Sequence, residues 1–317
     1  MATRGTRPAF VATTGGHLVQ MALHAPILEP DRHADALWIT HRTPQSESML
    51  AGRRVHWVPL MAARDWPTVV RHTPGSLAAL RHAGVDVAYS TGAAVALTAL
   101  PLARLAGARS VYIESLARPD GPSMTGRVLA RLPWVECRTQ YPANADRRWH
   151  YRNSLLDAFT VVDGEPATSP LRVFVTLGTA RPWGFRRLVE RVMAIVPAGT
   201  TVVWQTGVTD VGGLDLDAHA VLSDEDFQAE IARADVVVSH AGVGSFVRCL
   251  EAGRVPVLVP RRAARDEHVD DHQEQIARVG AERGLAVQRE ADELTFADLL
   301  HASARRVERV VPHSPSR

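Results

Sequence analysis

The sequence of 317 residues contains no lysine, so all 36 of its basic residues are arginines. A P-loop needs a lysine on the bound phosphates and a Schiff-base enzyme needs a lysine amine, so the absence of lysine excludes both classes. The 36 basic residues are nearly balanced by 34 acidic ones, and the net charge of +2 argues against a dedicated nucleic-acid-binding protein.

Cysteines and long apolar runs are also scarce. The sequence has two cysteines, Cys137 and Cys249, with neither zinc-ligand spacing nor a disulfide framework, which fits a reducing cytosol. The N-terminus lacks the apolar core of a signal peptide, and the apolar run 93–103 is too short to span a bilayer and is broken by Pro101. We therefore expect a cytoplasmic protein.

Short apolar runs alternate with amphipathic runs along both halves of the chain, which predicts two doubly wound parallel α/β domains. The segment 161–170, rich in Gly, Pro and Ser, is the predicted linker between domains 1–160 and 171–317. The tail 295–311 predicts a last, arginine-bearing helix that packs back on the first domain. The predicted strands cover 8–13, 36–40, 55–58, 85–90, 110–114, 135–140, 171–177, 201–205, 236–239 and 255–259.

Glycine-containing loops follow four of these strands, and ligands of α/β sheets bind beyond the carboxyl ends of strands. Their sequences are TTGGH (13–17), STGAA (90–94), TLGTA (176–180) and SHAGVGS (239–245). Glycine lets the backbone approach a ligand, and the last loop also opens a helix whose N–H groups attract an anion. This predicts a diphosphate site that includes His240 and Ser245 and needs neither lysine nor metal; the alternative is a tight turn with Ser245 as N-cap.

A second polar segment, VPRRAARDEHVDDHQEQIA (259–277), allows three interpretations. Its acidic residues suit a helix start, and its polar side chains suit a rim that binds sugar hydroxyls. His268 and His272 stand four residues apart, as metal ligands on one helical face do, although no third ligand is evident. The DLD sequence at 215–217 resembles a metal-binding DxD motif, but its Gly-rich context predicts a solvated turn.

The motifs of the second half resemble the family 28 glycosyltransferase C-terminal domain, especially its Alg13-like branch. The first half resembles the Alg14-like acceptor subunit, so the chain is similar to a fused Alg14–Alg13 pair and more distantly to MurG. The matching motifs are FVTLGT (174–179), VVWQTG (202–207), ADVVVSHAGVGS (234–245), VPVLVPRR and DEHVDDHQ (255–273), ATTGGHLVQM (12–21), DVAYSTGAAVA (86–96), ARLAGARSVYIES (103–115) and TQYP (139–142).

The resemblance implies a GT-B fold, in which two Rossmann-like domains face a cleft, and an inverting transfer that needs no metal or other cofactor. It implies a nucleotide sugar, usually UDP-linked, as donor and a lipid-linked or other glycosyl acceptor in bacterial exopolysaccharide biosynthesis. The implied donor-binding residues are Gly178, Thr179, Gln205, His240, Gly242, Gly244, Ser245, Glu251, His272 and Gln273. The implied acceptor-binding residues are Gly15, Gly16, Thr91 and Gly92.

The candidate general base is His17 of the TGGH motif, because the resemblance places it at the acceptor and a histidine accepts protons near neutral pH. Glu114 of the YIES motif is the second candidate. The alternative for His17 is a structural role as a cap of the first helix.

The chain departs from the family pattern at several positions. Ala180 replaces a polar residue, and Arg186 stands near a usual acid. Arg248 occupies the place of a ribose-binding glutamate, for which Glu251 is the expected substitute. Near the expected sugar rim, Arg261 and Arg262 favour a carboxylated donor sugar such as glucuronate.

Other functions remain open at this point. The acceptor is a soluble natural product in one alternative, and the reaction is a sugar-nucleotide epimerisation in another. A non-catalytic partner subunit is a third, against which the presence of both halves argues. The run GRVLARLPWV (126–135) sets Arg127 and Arg131 beside apolar residues, as in a helix at the inner face of the plasma membrane or in an ordinary core helix.

Overall fold

The computed structural model describes residues 6–59, 66–165, 167, 170–179, 182–268 and 271–310. The chain divides into two compact units, Met1–Leu155 and Leu156–Arg317, so the boundary lies five residues before the predicted end of the first domain at 160. Each unit contains a central parallel sheet with helices in its crossovers, which confirms the predicted α/β class.

The first unit has a sheet of seven parallel strands in the order β3-β2-β1-β4-β5-β6-β7. Its strands are β1 (Arg7–Val11), β2 (Leu37–His41), β3 (Arg54–Val58), β4 (Val85–Ser90), β5 (Arg109–Ile113), β6 (Val135–Thr139) and β7 (Trp149–Tyr151). Its helices are α1 (Gly16–Leu28), α2 (Pro44–Met49), α3 (Trp66–His82), α4 (Ala94–Leu105) and α5 (Met124–Leu129).

Apolar side chains fill both faces of this sheet, because helices cover both faces of a doubly wound sheet. On one face the rings of Phe10 and Trp38 lie 5.0 Å apart, and Phe10 also stacks on Tyr89. On the other face Tyr112 and Trp149 make an edge contact at 5.9 Å. Burial of such rings contributes roughly 2 kcal/mol each to the stability of the unit.

The short helix α5 is fixed at both ends by side chains. Ser123 caps its start and accepts a hydrogen bond from the Gly126 N–H at 3.0 Å. At the other end Arg148 donates to the carbonyl oxygens of Ala130, Leu132 and Val135, at 2.7, 2.8 and 2.6 Å. The helix therefore ends at residue 129, and the run 126–135 is not one helix as its amphipathic pattern suggested.

The second unit has a sheet of six parallel strands in the order β11-β10-β9-β12-β13-β14, and a separate antiparallel pair of β8 and β15. Its strands are β8 (Phe159–Asp163), β9 (Arg172–Thr176), β10 (Thr201–Gln205), β11 (Ala218–His219), β12 (Val236–Ser239), β13 (Val257–Leu258), β14 (Val287–Gln288) and β15 (Arg305–Arg309). Its helices are α6 (Arg186–Ile195), α7 (Asp224–Arg233), α8 (Val243–Glu251), α9 (His272–Glu282) and α10 (Phe296–Ser303).

The β8–β15 pair corrects two predictions. The predicted linker 161–170 begins inside β8, and the predicted helix 295–311 is instead the short helix α10 followed by β15. Val161 pairs with Val307 in this ribbon, so β-branched residues of one segment pair with those of the other. The two segments are far apart in sequence, so the local pattern of neither segment indicates the pairing. Within the described part of the chain, no helix has the length and apolarity that crossing a bilayer requires.

His24 lies buried on α1, and its burial ties the stability of the chain to pH. Burial, and next the charge of Arg138, lower the pKa of His24 from 6.5 to about 3. Between these two values the unfolded chain takes up a proton that the folded chain does not. The free energy of unfolding therefore falls as the pH falls from about 6.5 to 3, by up to about 1.4 kcal/mol per pH unit.

We expect His24→Leu to reduce the acid sensitivity of the chain. Urea unfolding at pH 7 and pH 5 should show a drop in the free energy of unfolding that is about 2 kcal/mol smaller in the variant than in wild type. The matched control is His150→Leu, since His150 is exposed on β7. An equal drop in wild type and His24→Leu would show that His24 is not held neutral.

Candidate functional site

Two glycine loops of the first unit lie side by side at the carboxyl edge of its sheet. The loop after β1 contains Gly15 and Gly16, and the loop after β4 contains Thr91 and Gly92; Val11 and Ser90 are paired in the sheet. His17 Nδ1 lies 2.8 Å from the Thr91 carbonyl oxygen, and Thr91 Oγ1 donates to the His17 carbonyl oxygen at 2.9 Å. The structure thus brings the predicted acceptor-binding residues together around His17.

The contact with Thr91 fixes the tautomer of His17. A carbonyl oxygen only accepts hydrogen bonds, so Nδ1 carries the proton and the lone pair of the neutral ring is on Nε2. This is the form that accepts a proton in general-base catalysis. Gly92 has a φ of +120°, and a Cβ there would lie 3.2 Å from both His17 Cε1 and the Tyr112 hydroxyl. A side chain at position 92 would therefore crowd the His17 ring.

Glu114, the second candidate base, is buried among hydrogen-bond donors. It is 3% exposed and accepts hydrogen bonds from the Tyr112 hydroxyl (3.0 Å), the Ser115 N–H (3.0 Å) and the N–H and hydroxyl of Ser123 (2.9 and 3.1 Å). Burial raises the pKa of its carboxyl, although these hydrogen bonds act in the opposite direction. Its oxygens therefore hold Ser123, the N-cap of α5, in place.

In the second unit, His240 fills the space between two glycine loops. Its backbone N–H and its Nδ1 both lie 3.2 Å from the Thr176 carbonyl oxygen, so Nδ1 carries the proton. A Cβ would lie 2.5 Å from His240 Nε2 at Gly178 and 2.3 Å from it at Gly242. Both positions therefore require glycine, and the imidazole sets the distance between the loops after β9 and β12.

His240 is also electrically neutral. It is 8% exposed, and burial together with the charge of Arg261 lowers its pKa from 6.5 to about 3. The sequence prediction placed this residue among the ligands of a diphosphate. The structure shows that the ring supplies no positive charge there.

The start of α8 presents backbone donors to the same edge of the sheet. Gly242 is the N-cap, without a side-chain cap, and Val243 is the first helical residue. Ser245 is therefore the third residue of the helix, and the prediction of Ser245 as N-cap is wrong. The first intrahelical bond runs from Phe246 N–H to the Gly242 oxygen, so the N–H groups of Val243, Gly244 and Ser245 have no acceptor within the helix and favour an anion.

Two of the predicted donor-binding residues make hydrogen bonds within the protein. Buried Gln205 donates to Thr176 Oγ1 at 3.1 Å and accepts from the Leu222 N–H at 3.2 Å. Buried Gln273 accepts from the Arg261 N–H at 3.1 Å. Thr179, in contrast, is exposed at the end of its loop, and Ala180 lies outside the described residues.

The family position of a ribose-binding glutamate holds an arginine with its own partners. Arg248 is buried, forms an ion pair with Asp224 and lies over the Phe227 ring at 5.5 Å. Glu251 is the last residue of α8, six residues beyond Ser245 and so about 9 Å further along the helix axis. The structure therefore separates Glu251 from the anion-binding end of its helix.

His272 opens α9 as its first residue and takes part in a ring cluster. The rings of His268 and His272 meet edge to face at 4.7 Å, and Trp183 stacks on His268 at 5.1 Å. Asp270, which lies between these two histidines in the sequence, is outside the described residues. Among those that are described, no three His, Cys, Asp or Glu residues are grouped as metal ligands.

The remaining charged residues of the predicted sites are paired or solvated. Arg262 forms ion pairs with Glu274 and Glu290, so its charge is not open to a carboxylated sugar. Asp215 and Asp217 of the DLD sequence are exposed.

Sequence reasoning missed Tyr112 and mistook the setting of Arg261. Tyr112 lies beside Gly92 and His17, and only its place two residues before Glu114 connects it with a motif. Arg261 was expected at a sugar rim, but its side chain is 1% exposed. An arginine directly after a buried strand was the signal for a buried guanidinium.

Comparisons with known proteins identify relatives of the chain. Residues 172–305 match the Glycosyltransferase family 28 C-terminal domain. The UDP-N-acetylglucosamine--N-acetylmuramyl-(pentapeptide) pyrophosphoryl-undecaprenol N-acetylglucosamine transferase of Synechococcus sp. (strain WH7803) is 29% identical over 216 residues, 64% of this chain and 59% of the relative. The enzyme of the same name from Halorhodospira halophila (strain DSM 244 / SL1) is 28% identical over 303 residues, 86% and 82% of the two chains.

A solved structure supports the fold. The crystal structure of Acinetobacter baumannii MurG has a TM-score of 0.57 and 18% identity, with 93% of this chain and 89% of that chain covered. At this identity the likeness concerns the fold alone, and it confirms the predicted GT-B class. The fused Alg14–Alg13 arrangement stays a prediction.

We expect Gly178→Ala to destabilise the second unit more than Gly199→Ala does. Both glycines have positive φ angles, +72° and +87°, so both variants carry similar backbone strain, but only Gly178 has His240 against it, while nothing lies within 4 Å of Gly199. The overlap should add about 1–3 kcal/mol to the loss of unfolding free energy in urea. Addition of His240→Ala should recover part of that extra loss. Equal effects of the two glycine variants would contradict the close packing of the His240 ring against Gly178.

Proposed function

We propose that this chain, which has the GT-B fold and matches the Glycosyltransferase family 28 C-terminal domain over residues 172–305, transfers a sugar from UDP to a lipid-linked saccharide with inversion at the anomeric carbon. The observation that carries the proposal is the pair of bare glycines, Gly178 and Gly242, held by His240 at the open start of α8. Such a site accepts a diphosphate closely and without a metal ion.

The relatives support this choice of donor and acceptor. The names of the Synechococcus and Halorhodospira enzymes give UDP-N-acetylglucosamine as donor and a saccharide on pyrophosphoryl-undecaprenol as acceptor. We place the acceptor of this chain in the same chemical class, a sugar on a polyprenyl diphosphate, used in the assembly of a cell-envelope polysaccharide.

The proposed reaction uses His17 as general base. Nε2 takes the proton of an acceptor hydroxyl as that oxygen attacks the anomeric carbon of the donor sugar from the face opposite to UDP. The new glycosidic bond forms as the bond to the diphosphate oxygen breaks, so the configuration is inverted. The hydrogen bond from Nδ1 to Thr91 keeps the accepting nitrogen in place and stabilises the imidazolium that forms.

The leaving diphosphate gains negative charge as this bond breaks. The N–H groups at the start of α8 and the Ser245 hydroxyl lie where that charge is proposed to develop. Donors that are fixed before the reaction stabilise a transition state without reorganisation. No cofactor takes part in the proposed steps.

We expect His17→Asn to lower the transfer rate about 100-fold or more while UDP affinity stays within about twofold of wild type. Asparagine keeps a donor for the Thr91 oxygen but accepts no proton. The assay follows labelled sugar from a panel of UDP-sugars into a polyprenyl-diphosphate saccharide extract, with a chelator present, and UDP binding is measured by calorimetry. The exposed His150→Ala is the control.

Each other result of this assay opposes the proposal. Transfer only to small soluble aglycones would indicate a natural-product glycosyltransferase, and UDP release without transfer would indicate an epimerase. Loss of activity with the chelator would require a metal. Undiminished transfer by His17→Asn would remove this histidine from the mechanism.

Peripheral membrane contact through α5 forms part of the proposal. Met124 is 75% exposed and Val128 is 38% exposed, and they lie one turn apart on the same helical face. Arg127 and Arg131 are exposed beside them. Apolar side chains flanked by arginines suit an interface of anionic lipids, where a lipid-linked acceptor resides.

We expect the double variant Met124→Glu and Val128→Glu to lose binding to vesicles of phosphatidylglycerol and phosphatidylcholine in co-sedimentation. Two acids on this face repel the anionic surface and remove the apolar insertion, which should reduce the bound fraction at least about fivefold. Val221→Glu is the control, since Val221 is a 64% exposed apolar residue of the second unit. Absence of wild-type binding to these vesicles would exclude α5 as a membrane contact.

A further inference from the structure

Arg261 lies at the carboxyl edge of the sheet in the second unit. It follows β13 and Pro260, and the pairing of Ser239 with Leu258 sets its strand directly beside the strand that leads to His240. Its Nη2 donates to the Leu177 carbonyl oxygen, one residue before Gly178. Its backbone N–H is held by Gln273, so both ends of the residue are fixed.

The positive charge of this guanidinium has no counter-ion in the part of the chain that the structure describes. Its Nε and Nη1 are buried and have no hydrogen-bond acceptor there. Glu267 acts on the charge from a distance, but its oxygens accept from Arg187 Nε and Nη2 at 3.1 and 3.1 Å and from the Arg262 N–H at 2.9 Å. A buried cation without a partner is costly, and such groups occur at functional sites.

The position of Arg261 connects this charge with the glycine loops. Its charge contributes to keeping His240 neutral, and His240 separates Gly178 from Gly242. The guanidinium thus contacts the turn that carries Gly178 through the Leu177 carbonyl oxygen. The other arginines nearby, Arg187 and Arg262, are both held in ion pairs with carboxylates.

We propose that Arg261 is a positioning residue for the donor: its guanidinium, which has no counter-ion among the described residues, holds the Leu177–Gly178 turn and compensates the charge of the nucleoside diphosphate bound at the start of α8. This inference rests on the proposed function. The chain has no lysine, and His240 is neutral, so neither can balance the charge of a diphosphate at this site. The inference assigns that role to the buried Arg261. Charges act more strongly in a buried environment than in water, so direct contact with the diphosphate is not required.

The test compares ligands that differ only in phosphate charge. Calorimetry at low ionic strength gives the Kd of UDP, UMP and uridine for wild type, R261M and R261K. Methionine keeps much of the length and removes the charge, and lysine keeps the charge without the planar fork. The exposed Arg233→Met is the control, since Arg233 is an arginine on the surface of α7.

We expect R261M to raise the Kd of UDP about 10- to 100-fold and that of uridine less than about threefold, with UMP between them. R261K should keep most of the UDP affinity, and R233M should resemble wild type. The Tm of R261M without ligand should equal or exceed that of wild type, because an unpaired buried charge is lost, while its increase on addition of UDP should shrink.

Several results would overturn the inference. Equal weakening of uridine and UDP, a lower Tm in the absence of ligand, or failure of R261M to fold would make Arg261 a structural residue. An unchanged Kd of UDP in R261M would remove it from the site. UDP binding by wild type tests the proposed function separately. If wild type does not bind UDP, the proposed function is wrong, and the inference that rests on it is wrong as well.

Discussion

The carboxyl edge of the sheet in the second unit depends on the position of the His240 ring, which lies between Gly178 and Gly242. The imidazole leaves room for no side chain at either position, so it determines where both backbones run and where α8 begins. Burial makes the ring neutral, which suits it as a rigid spacer and prevents it from acting as a cation. At this edge His240 therefore fixes the backbone positions, and positive charge has to come from another residue.

The first unit also contains a histidine whose Nδ1 donates to a carbonyl oxygen of a neighbouring loop, but this histidine is less buried than His240. His17 and His240 both direct Nδ1 to a carbonyl oxygen of a neighbouring loop, Thr91 in one case and Thr176 in the other. His17 is half-buried, whereas His240 is almost fully enclosed. The two histidines therefore share a residue type and a hydrogen bond but differ in burial, and burial lowers the pKa of His240.

The alternation of strands and helices and the glycine loops were readable from the sequence, because each depends on local pattern: the strands 85–90, 201–205 and 236–239 were predicted at their observed bounds. The strands β11, β13 and β14 have two residues each, too few for a pattern to reveal their limits. The roles of Gln205 and Gln273 depend on partners distant in sequence, and so does the enclosure of Arg261. A local sequence pattern carries no information on such distant partners.

The β8–β15 ribbon has a consequence for how the second unit is made. It joins the first strand of the unit to its last, across nearly the entire length of the intervening sheet. On the ribosome β8 emerges early and β15 emerges last, so this pairing is formed only when synthesis of the unit is almost finished. Pairs so distant in sequence raise the contact order of a domain, and high contact order goes with slower folding.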